Sequence, residues 1–324
     1  MNIAIIGSGV FGIANAISLS HNTNNKIIMW TESEESLKRI ESTRNNYDLL
    51  GGLKIPKSIK FTTSYEEVMK DADIVMLMPA AKFIDSVSKS IKPYITPKMM
   101  FVIGSKGIEQ GSCRFVHEVF KDNIRTKMLA VISGPSFAID IANMEPTALA
   151  CATKNTKVFN KLKEAYKGTN IKLRKSNDLI GTELSGSIKN VVAIASGMLE
   201  GLGYKESTRA FLITESLHDI KELIYGLGGS KKSILSYAGV GDLLLTATST
   251  KSRNYSYGIL LATDKVKANK YLEETTVEGY YTLKSIYSLI KKKKVKMPLI
   301  DLIYKIVMND DDPNKLIDFL MKKD

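Results

Sequence analysis

The sequence predicts an α/β protein: a doubly wound, parallel-sheet domain over residues 1–177, followed by an all-helical domain over residues 178–324. Three observations carry that prediction. Short apolar runs alternate with helical patterns through the first half, the signature of a parallel sheet with crossover helices. The first run, Asn2 to Ile6, passes directly into the glycine turn Gly7-Ser8-Gly9-Val10-Phe11-Gly12. Beyond about residue 178 the alternation stops, and long stretches with helical spacing take over.

Taken in order, the apolar runs predict strands over 2–6, 26–30, 59–61, 73–78, 99–103 and 128–132, with a further strand over 147–152. Helices are expected over 10–20, 34–43, 64–70, 81–91 and 112–120, several entered through small polar caps at Ser33, Thr63 and Ser112. In the second half Leu184, Ile188, Val191, Ala195, Met198 and Leu202 fall at helical spacing. Gly186, Asn190, Ala193 and Gly197 form a second stripe of small residues on the same helix, which lets another helix or a ligand approach the backbone closely; for the glycines helix packing is the ordinary explanation. Further helices are expected over 207–226, 240–249, 255–262, 277–291 and 298–307. The run Lys291 to Lys294 closes one of them, where cations suit the helix dipole.

The glycine turn is a dinucleotide fingerprint of the Rossmann type. Gly7 allows the tight turn after the strand, Gly9 lets backbone approach a pyrophosphate, and Gly12 lets helix pack on strand. The phosphates then rest on the free N–H groups of the helix N-terminus. A lone G-x-G-x-x-G is weak evidence, but this one follows a strand and opens a helix within the first dozen residues. Glu32 lies 20 residues beyond Gly12, at the end of the second strand. An acidic side chain there accepts from ribose hydroxyls and repels a 2′-phosphate, so NAD is expected over NADP. NADP stays open, because Lys38, Arg39 or Arg44 can fold over a phosphate.

Composition narrows the class. Forty-four per cent hydrophobic residues in 324, with a mean hydropathy of −0.07, is that of an ordinary soluble protein with sizeable cores. Cys113 and Cys151 form no metal or disulfide pattern and are expected as buried thiols, and no metal site is visible. No basic leader and no eighteen-residue apolar run are present, so a cytoplasmic location and no integral membrane segment are expected. The net charge of +12 suits an anionic metabolite or plain solubility. Without a recognised binding motif it does not make a nucleic-acid binder, which would show strongly salt-dependent duplex binding. The three histidines, His21, His117 and His218, lack an acidic partner motif, which speaks against a His–Asp dehydrogenase.

A lysine inside an apolar helix is the second chemical signal. Glu183-Leu-Ser-Gly-Ser-Ile-Lys189-Asn190 sets Lys189 where burial and a neighbouring cation, for which Lys106 is the candidate, poise an ammonium for proton transfer. Asp242, on a glycine-flanked turn, is placed to orient that ammonium or to bind a hydroxyl. The plain alternative is a lysine whose stem packs while its head reaches water. Beside a dinucleotide site, the catalytic reading points to an oxidoreductase.

Gly7 to Ala16, Ser105-Lys106-Gly-Ile-Glu109, Ser133-Gly134-Pro-Ser136-Phe-Ala138, Glu183 to Asn190, Gly239-Val-Gly-Asp242, Ser252-Arg253-Asn254 and Val277-Glu278-Gly279 together resemble the NAD(P)-dependent glycerol-3-phosphate dehydrogenases of bacterial type. The motifs span nearly the whole chain in the family's order. The resemblance implies interconversion of dihydroxyacetone phosphate and sn-glycerol 3-phosphate by hydride transfer, feeding glycerophospholipid synthesis, in a homodimer. It assigns proton transfer to Lys189, with Lys106 and Asp242 completing the catalytic set. Lys106, Gly134, Ser136, Asp242, Ser252, Arg253 and Asn254 would line a small phosphorylated substrate. Val10, Phe11, Lys106, Ala138, Arg253 and Glu278 would approach the cofactor together with Gly7, Gly9, Gly12 and Glu32.

For the phosphate dianion of such a substrate, Ser252-Arg253-Asn254 supplies a planar fork and small polar donors, with Arg209 a second candidate. Arg253 in an ordinary salt bridge is the plain alternative, and for Ser133 to Ser136 a plain turn. The chain departs from the family at Ser207, Arg209, Phe211 and Glu215, where asparagine, lysine, alanine and arginine are more frequent, and at Ser185 in place of a frequent glycine. Glu215 puts a local ion pair or subunit contact in doubt. Two other readings remain: a related hydroxyacid or sugar-acid dehydrogenase, indifferent to a substrate phosphate, and an NAD(H)-sensing protein without turnover.

Overall fold

A computed structural model of the chain describes residues 1–45, 47–109 and 111–322. They divide into two compact units, one of Met1–Lys106 with Val116–Leu179 and one of Gly107–Phe115 with Ile180–Asp324.

The first unit is built on an eight-stranded sheet. Its strands are β1 (Asn2–Ile6), β2 (Lys26–Trp30), β3 (Ile59–Thr62), β4 (Ile74–Leu77), β5 (Met100–Ile103), β6 (Leu129–Ser133), β7 (Thr147–Ala152) and β8 (Ile171–Ser176). They lie in the order β3-β2-β1-β4-β5-β6-β7-β8. The chain order reverses between β1 and β4, and ligands of doubly wound sheets bind at such a switch point, beyond the carboxyl ends of the strands. Successive residues of each central strand feed opposite faces. Ile3, Ile5, Ile74 and Met76 enter one core, and Ala4, Ile6, Val75 and Leu77 the other. Burial on both faces explains why these strands read as continuous apolar runs and not as alternating ones.

Around the sheet lie α1 (Val10–Ser20), α2 (Glu34–Thr43), α3 (Tyr65–Met69), α4 (Ile84–Ile91), α5 (Val116–Asn123), α6 (Ala138–Ala142) and α7 (Thr156–Ala165). Ser33 caps α2 as expected, accepting from Ser36 N at 3.1 Å. The cap of α3 is Ser64 and not Thr63; Thr63 turns its hydroxyl to Glu34 instead, at 2.5 Å. The helix expected to open at Ser112 begins at Val116, because Phe115 is held in an antiparallel bridge to Ile108.

Two features of this sheet depart from the sequence expectation. β7 runs antiparallel to β6, with Ile132 opposite Cys151. The connection between them carries only the five-residue α6, too short to return the chain for a parallel crossover. β8 was not anticipated, nor was α7. The sequence of β8, Ile-Lys-Leu-Arg-Lys-Ser, sets cations between its apolar residues because it is the sheet's edge strand.

The second unit is helical: α8 (Leu179–Gly201), α9 (Glu206–Gly226), α10 (Asp242–Ala247), α11 (Arg253–Thr263), α12 (Lys265–Glu274), α13 (Glu278–Lys293), α14 (Pro298–Asn309) and α15 (Lys315–Leu320). The sequence pattern missed α12 and α15, whose faces are mostly charged or short. From Gly181 to Leu199, α8 is buried all round. At Gly197 the small-residue stripe serves packing, as the plain reading for its glycines holds: a side chain there would overlap the backbone of Tyr255, and one at Gly258 of α11 the carbonyl of Ile194. The backbones of α8 and α11 therefore nearly touch, which fixes the first residues of α11 against the middle of α8. No helix among the described residues is long and apolar enough to cross a membrane.

Candidate active site

In the first unit the predicted nucleotide residues gather at the carboxyl end of β1. Gly7 takes φ +109, a left-handed value that favours glycine, and its N–H donates to Trp30 O at 3.1 Å. A side chain at Gly12 would collide with the Gly7 carbonyl, whereas one at Gly9 would meet nothing within 4 Å. Gly12 is thus required for packing, and Gly9 leaves an open approach to the backbone. The N-terminus of α1 has no side-chain cap and no acidic residue in its first turn. The N–H groups of that turn, Val10 and Phe11 among them, are left for an anion. These observations fit the pyrophosphate of a dinucleotide.

Glu32 is anchored beside this loop. Its carboxylate accepts from Ser36 Oγ at 2.7 Å and Thr31 Oγ1 at 3.1 Å, and Thr31 Oγ1 shares a 2.7 Å hydrogen bond with Ser8 of the glycine turn. Burial by itself would raise its pKa; the bonds from Ser36, from its own backbone and from Thr31, with the charge of Arg39, outweigh that and hold the carboxyl below its ordinary value. Arg44 is unsuited to a 2′-phosphate: its guanidinium is buried and bonds Glu41, Pro56 O and Ile59 O.

Lys106 sits at the end of β5, its Nζ 5.7 Å from the centre of the Phe11 ring at the start of α1. Ser105 fixes this bend by donating to Pro79 O at 2.5 Å. Gly134 lies so close to β7 that a side chain there would come within 2.6 Å of Ala148 O. Ser136 turns its hydroxyl onto Gly134 O at 2.8 Å, and Ala138 opens α6. The Ser133 hydroxyl is buried with no hydrogen-bond partner among the described residues, an unusual state for a polar group.

In the second unit the lysine signal resolves into a network. The Lys189 ammonium, buried in mid-α8, donates to Asp242 Oδ1 and, at 3.0 Å, to Thr246 Oγ1. Asp242 and Thr246 are one turn apart on α10, and the threonine hydroxyl also bonds Asp242 O at 2.7 Å. Beside Lys189, Asn190 donates to Glu278 Oε2 at 3.3 Å and accepts from Asn254 Nδ2 at 3.0 Å. Asn254 in turn accepts from Gly279 N at 2.8 Å. The head of Lys189 does not reach water by snorkelling. Its charge is paired inside the unit, at a cost that packing alone gives no reason to bear.

Arg253 is the first residue of α11 and is exposed. Among the described residues it makes no ion pair. A cation at a helix N-terminus opposes the helix dipole, an arrangement that an anion bound there would relieve. Ser252 caps α11, accepting from Tyr255 N at 3.3 Å. Arg209 is different: its guanidinium, 12% exposed, is engaged by Glu206 at 2.9 Å, Tyr204 O at 3.0 Å and Glu200 at 3.5 Å. These contacts make it a brace between α8 and α9.

Sequence reasoning missed the part of Thr246 and gave Asn190 no role beyond a stripe of small residues open to a helix or a ligand. The i, i+4 spacing of Thr246 from Asp242 and the adjacency of Asn190 to Lys189 were the available signals. It also placed both thiols in the interior. Cys151 is buried and its thiol is pushed up to about 12 by that burial, but Cys113 is half-exposed on a left-handed turn. Neither is bonded to another cysteine, and no cluster of three or more metal-ligating side chains occurs among the described residues.

The sequence profile described as NAD-dependent glycerol-3-phosphate dehydrogenase N-terminus matches residues 2–159, and the profile for the C-terminus matches residues 178–318. The chain is 34% identical over 327 residues to a glycerol-3-phosphate dehydrogenase [NAD(P)+] of Staphylococcus epidermidis, covering 99% of this chain and 98% of that one. It is 33% identical to the Bacillus subtilis protein of the same name over 326 residues, 99% and 94% of the two chains. The crystal structure of glycerol-3-phosphate dehydrogenase from Coxiella burnetii superimposes with a TM-score of 0.91 at 30% identity, covering 99% of each chain. With a glycine cradle in one unit, a buried lysine network in the other and matches across nearly its whole length, the chain belongs to the NAD-dependent glycerol-3-phosphate dehydrogenase family.

Proposed function

We propose that the protein reduces dihydroxyacetone phosphate to sn-glycerol 3-phosphate with a reduced nicotinamide dinucleotide, and catalyses the reverse. The observation that carries this reading is the paired, buried ammonium of Lys189 on the same framework as the unpaired guanidinium of Arg253. When bound, the cofactor supplies or accepts the hydride. Lys189 gives its proton to the carbonyl oxygen as negative charge develops there, and retrieves it in the reverse direction. A positioned acid of this kind contributes roughly 10²–10⁴ in rate. Asp242 and Thr246 hold the Nζ in place. Arg253, the N–H groups at the start of α11 and the side chains of Ser252 and Asn254 take the phosphate dianion.

In the first unit the turn Gly7 to Gly12 and the first turn of α1 bind the pyrophosphate. Glu32 accepts from the ribose hydroxyls, its lowered pKa keeping it ionised at neutral pH, so NAD is preferred to NADP. Lys106 adds positive charge beside Phe11, and Gly134, Ser136 and Ala138 offer close backbone and a hydroxyl to the ligands. The product suits glycerophospholipid assembly, and use of a free nicotinamide cofactor suits a cytoplasmic location.

We also propose a homodimer formed through the helical unit, where Phe211, Tyr225, Leu235 and Leu244 are exposed. Light scattering at twice 35.9 kDa would support it, and a monomer at micromolar concentration would dismiss it. For the activity, sn-glycerol 3-phosphate with NAD+ should generate NADH absorbance, whereas glycerol should not. Equal rates with both would mean that Arg253 holds no phosphate.

A further inference from the structure

The positive charge of this chain is concentrated. Between Thr153 and Ser176 stand seven lysines and one arginine against Glu164 alone, a net +7 in 24 residues, where all 324 carry +12. These residues form α7, the edge strand β8 and the turns around them, all within the first unit and apart from its glycine turn. Lys161 is paired with Asp73 at 3.1 Å, and Lys167 lies 3.8 Å from Glu164. Lys154, Lys157, Lys163, Lys172 and Lys175 are exposed and make no ion pair among the described residues. Lys175 donates to Thr156 Oγ1 at 2.8 Å, which draws the end of β8 to the start of α7 and sets its charge beside Lys154 and Lys157.

Protection of a sheet edge accounts for a lysine such as Lys172 in β8. It does not account for the cations on the outer face of α7, a helix that exposes no strand edge. Nor does the dehydrogenase reaction use any of them. We propose that this end of the sheet is a docking surface for anionic phospholipid headgroups, holding the protein reversibly at a membrane surface. The chemistry favours a lipid surface over a nucleic acid. The cations are almost all lysines, which act as flexible point charges toward a diffuse negative potential, whereas base and phosphate readout draws on arginine forks. The segment's aromatic residues, Phe159 and Tyr166, pack toward the core and leave no ring for base stacking. No apolar side chain projects from the patch to insert into acyl chains, so attachment is electrostatic and released by salt.

The test is co-sedimentation of the full chain with vesicles of equal phosphatidylglycerol and phosphatidylcholine, and with phosphatidylcholine alone, at 50 and 300 mM KCl. Binding is expected only to the anionic vesicles and only at the lower salt. Each lysine near such a surface changes partitioning about fivefold. The combined variant Lys154→Gln, Lys157→Gln, Lys172→Gln and Lys175→Gln should therefore lose roughly a hundredfold or more. The charge-matched variant Lys292→Gln, Lys293→Gln, Lys294→Gln and Lys296→Gln, on the other unit, should lose at most a few-fold. Thermal melting checks that each variant folds; if the first does not, the pair Lys154→Gln and Lys157→Gln replaces it, with a loss of about twenty-five-fold expected. Equal loss in both sets, no binding of the unaltered protein, or retention by duplex DNA at salt that frees it from vesicles would each overturn the proposal.

Discussion

Nδ2 of Asn254, the second residue of α11, donates a 3.0 Å hydrogen bond to Oδ1 of Asn190, the residue that follows Lys189 on α8. Through this bond the two ends of the proposed substrate are held at one separation: the proton donor on α8, the phosphate group on α11. Asn254 also accepts from Gly279 N, so Asn190, Asn254 and the start of α13 form one buried network. Replacing Asn254 by Ala leaves an amide oxygen and an N–H unpaired, at a cost of about 1–3 kcal/mol each. We expect Asn254→Ala to lower kcat/KM by roughly 10–100-fold, with KM for the phosphorylated ketone rising, because misplacement of order 1 Å costs that much. An effect on stability with unaltered steady-state constants would reduce the network to packing.

Lys189→Met keeps the volume of the stem and removes the proton. Turnover should fall about 10²–10⁴-fold, while NADH titration by fluorescence gives the affinity of the parent protein. Asp242 then loses the ammonium that Lys189 supplies inside the unit, so Asp242→Asn in the same background should recover part of the stability lost in Lys189→Met without recovering rate. Loss of NADH binding together with turnover would show that the lysine is structural.

Glu32 is exposed but fixed by Thr31 and Ser36. Glu32→Ala removes both the acceptor for the ribose hydroxyls and the charge that repels a 2′-phosphate. The ratio of kcat/KM for NADH over NADPH should drop by at least tenfold, through KM for both cofactors. A ratio unchanged by the substitution would place the source of cofactor choice elsewhere.

Asp219 on α9 accepts from Leu299 N at the start of α14, at 3.2 Å. Burial, with the charges of Glu215 and Asp301, pushes its pKa up to about 6 from 3.8, against the opposing effects of the Leu299 bond and His218. An acid whose folded pKa is raised binds its proton more tightly in the folded state. Stability contributed by that proton is therefore full below about pH 4 and is lost as pH rises to 6. After allowance for partial exposure the loss is about 1–2 kcal/mol. Asp219→Asn, which still accepts from Leu299, should raise the melting temperature at pH 7 and leave it unchanged near pH 4. Destabilisation at pH 7 would mean that the carboxylate's charge on the α14 N-terminus outweighs its repulsion. The charge of Glu215 adds to the effects that raise the pKa of Asp219.

Strands buried on both faces and the glycine turn were legible because local sequence and fold demand the same residues there. Gly7, by its left-handed φ, and Gly12, by its contact with the Gly7 carbonyl, each answer a backbone requirement that a side chain would violate, and Gly9 leaves the loop open. β8 was hidden because an edge strand tolerates Lys172 and Arg174, and the antiparallel β7 because direction depends on the length of α6, which apolar spacing does not encode. In the helical unit the pattern gave α8 but not the use of its polar residues. Asn190 reads as one more small residue in a packing stripe until Asn254 and Glu278 are brought to it from 64 and 88 residues away. Arg209 and Arg253 look alike in sequence; the carboxylates around the first, and the lack of an ion pair to the second among the described residues, separate a brace from the proposed anion site.

The central claim is tested most directly by following NADH absorbance with dihydroxyacetone phosphate beside unphosphorylated dihydroxyacetone. The account predicts rapid oxidation with the phosphate ester and little or none with the free ketone. Protein that binds NADH yet oxidises it with neither would contradict the account and leave a dinucleotide-binding protein without this chemistry.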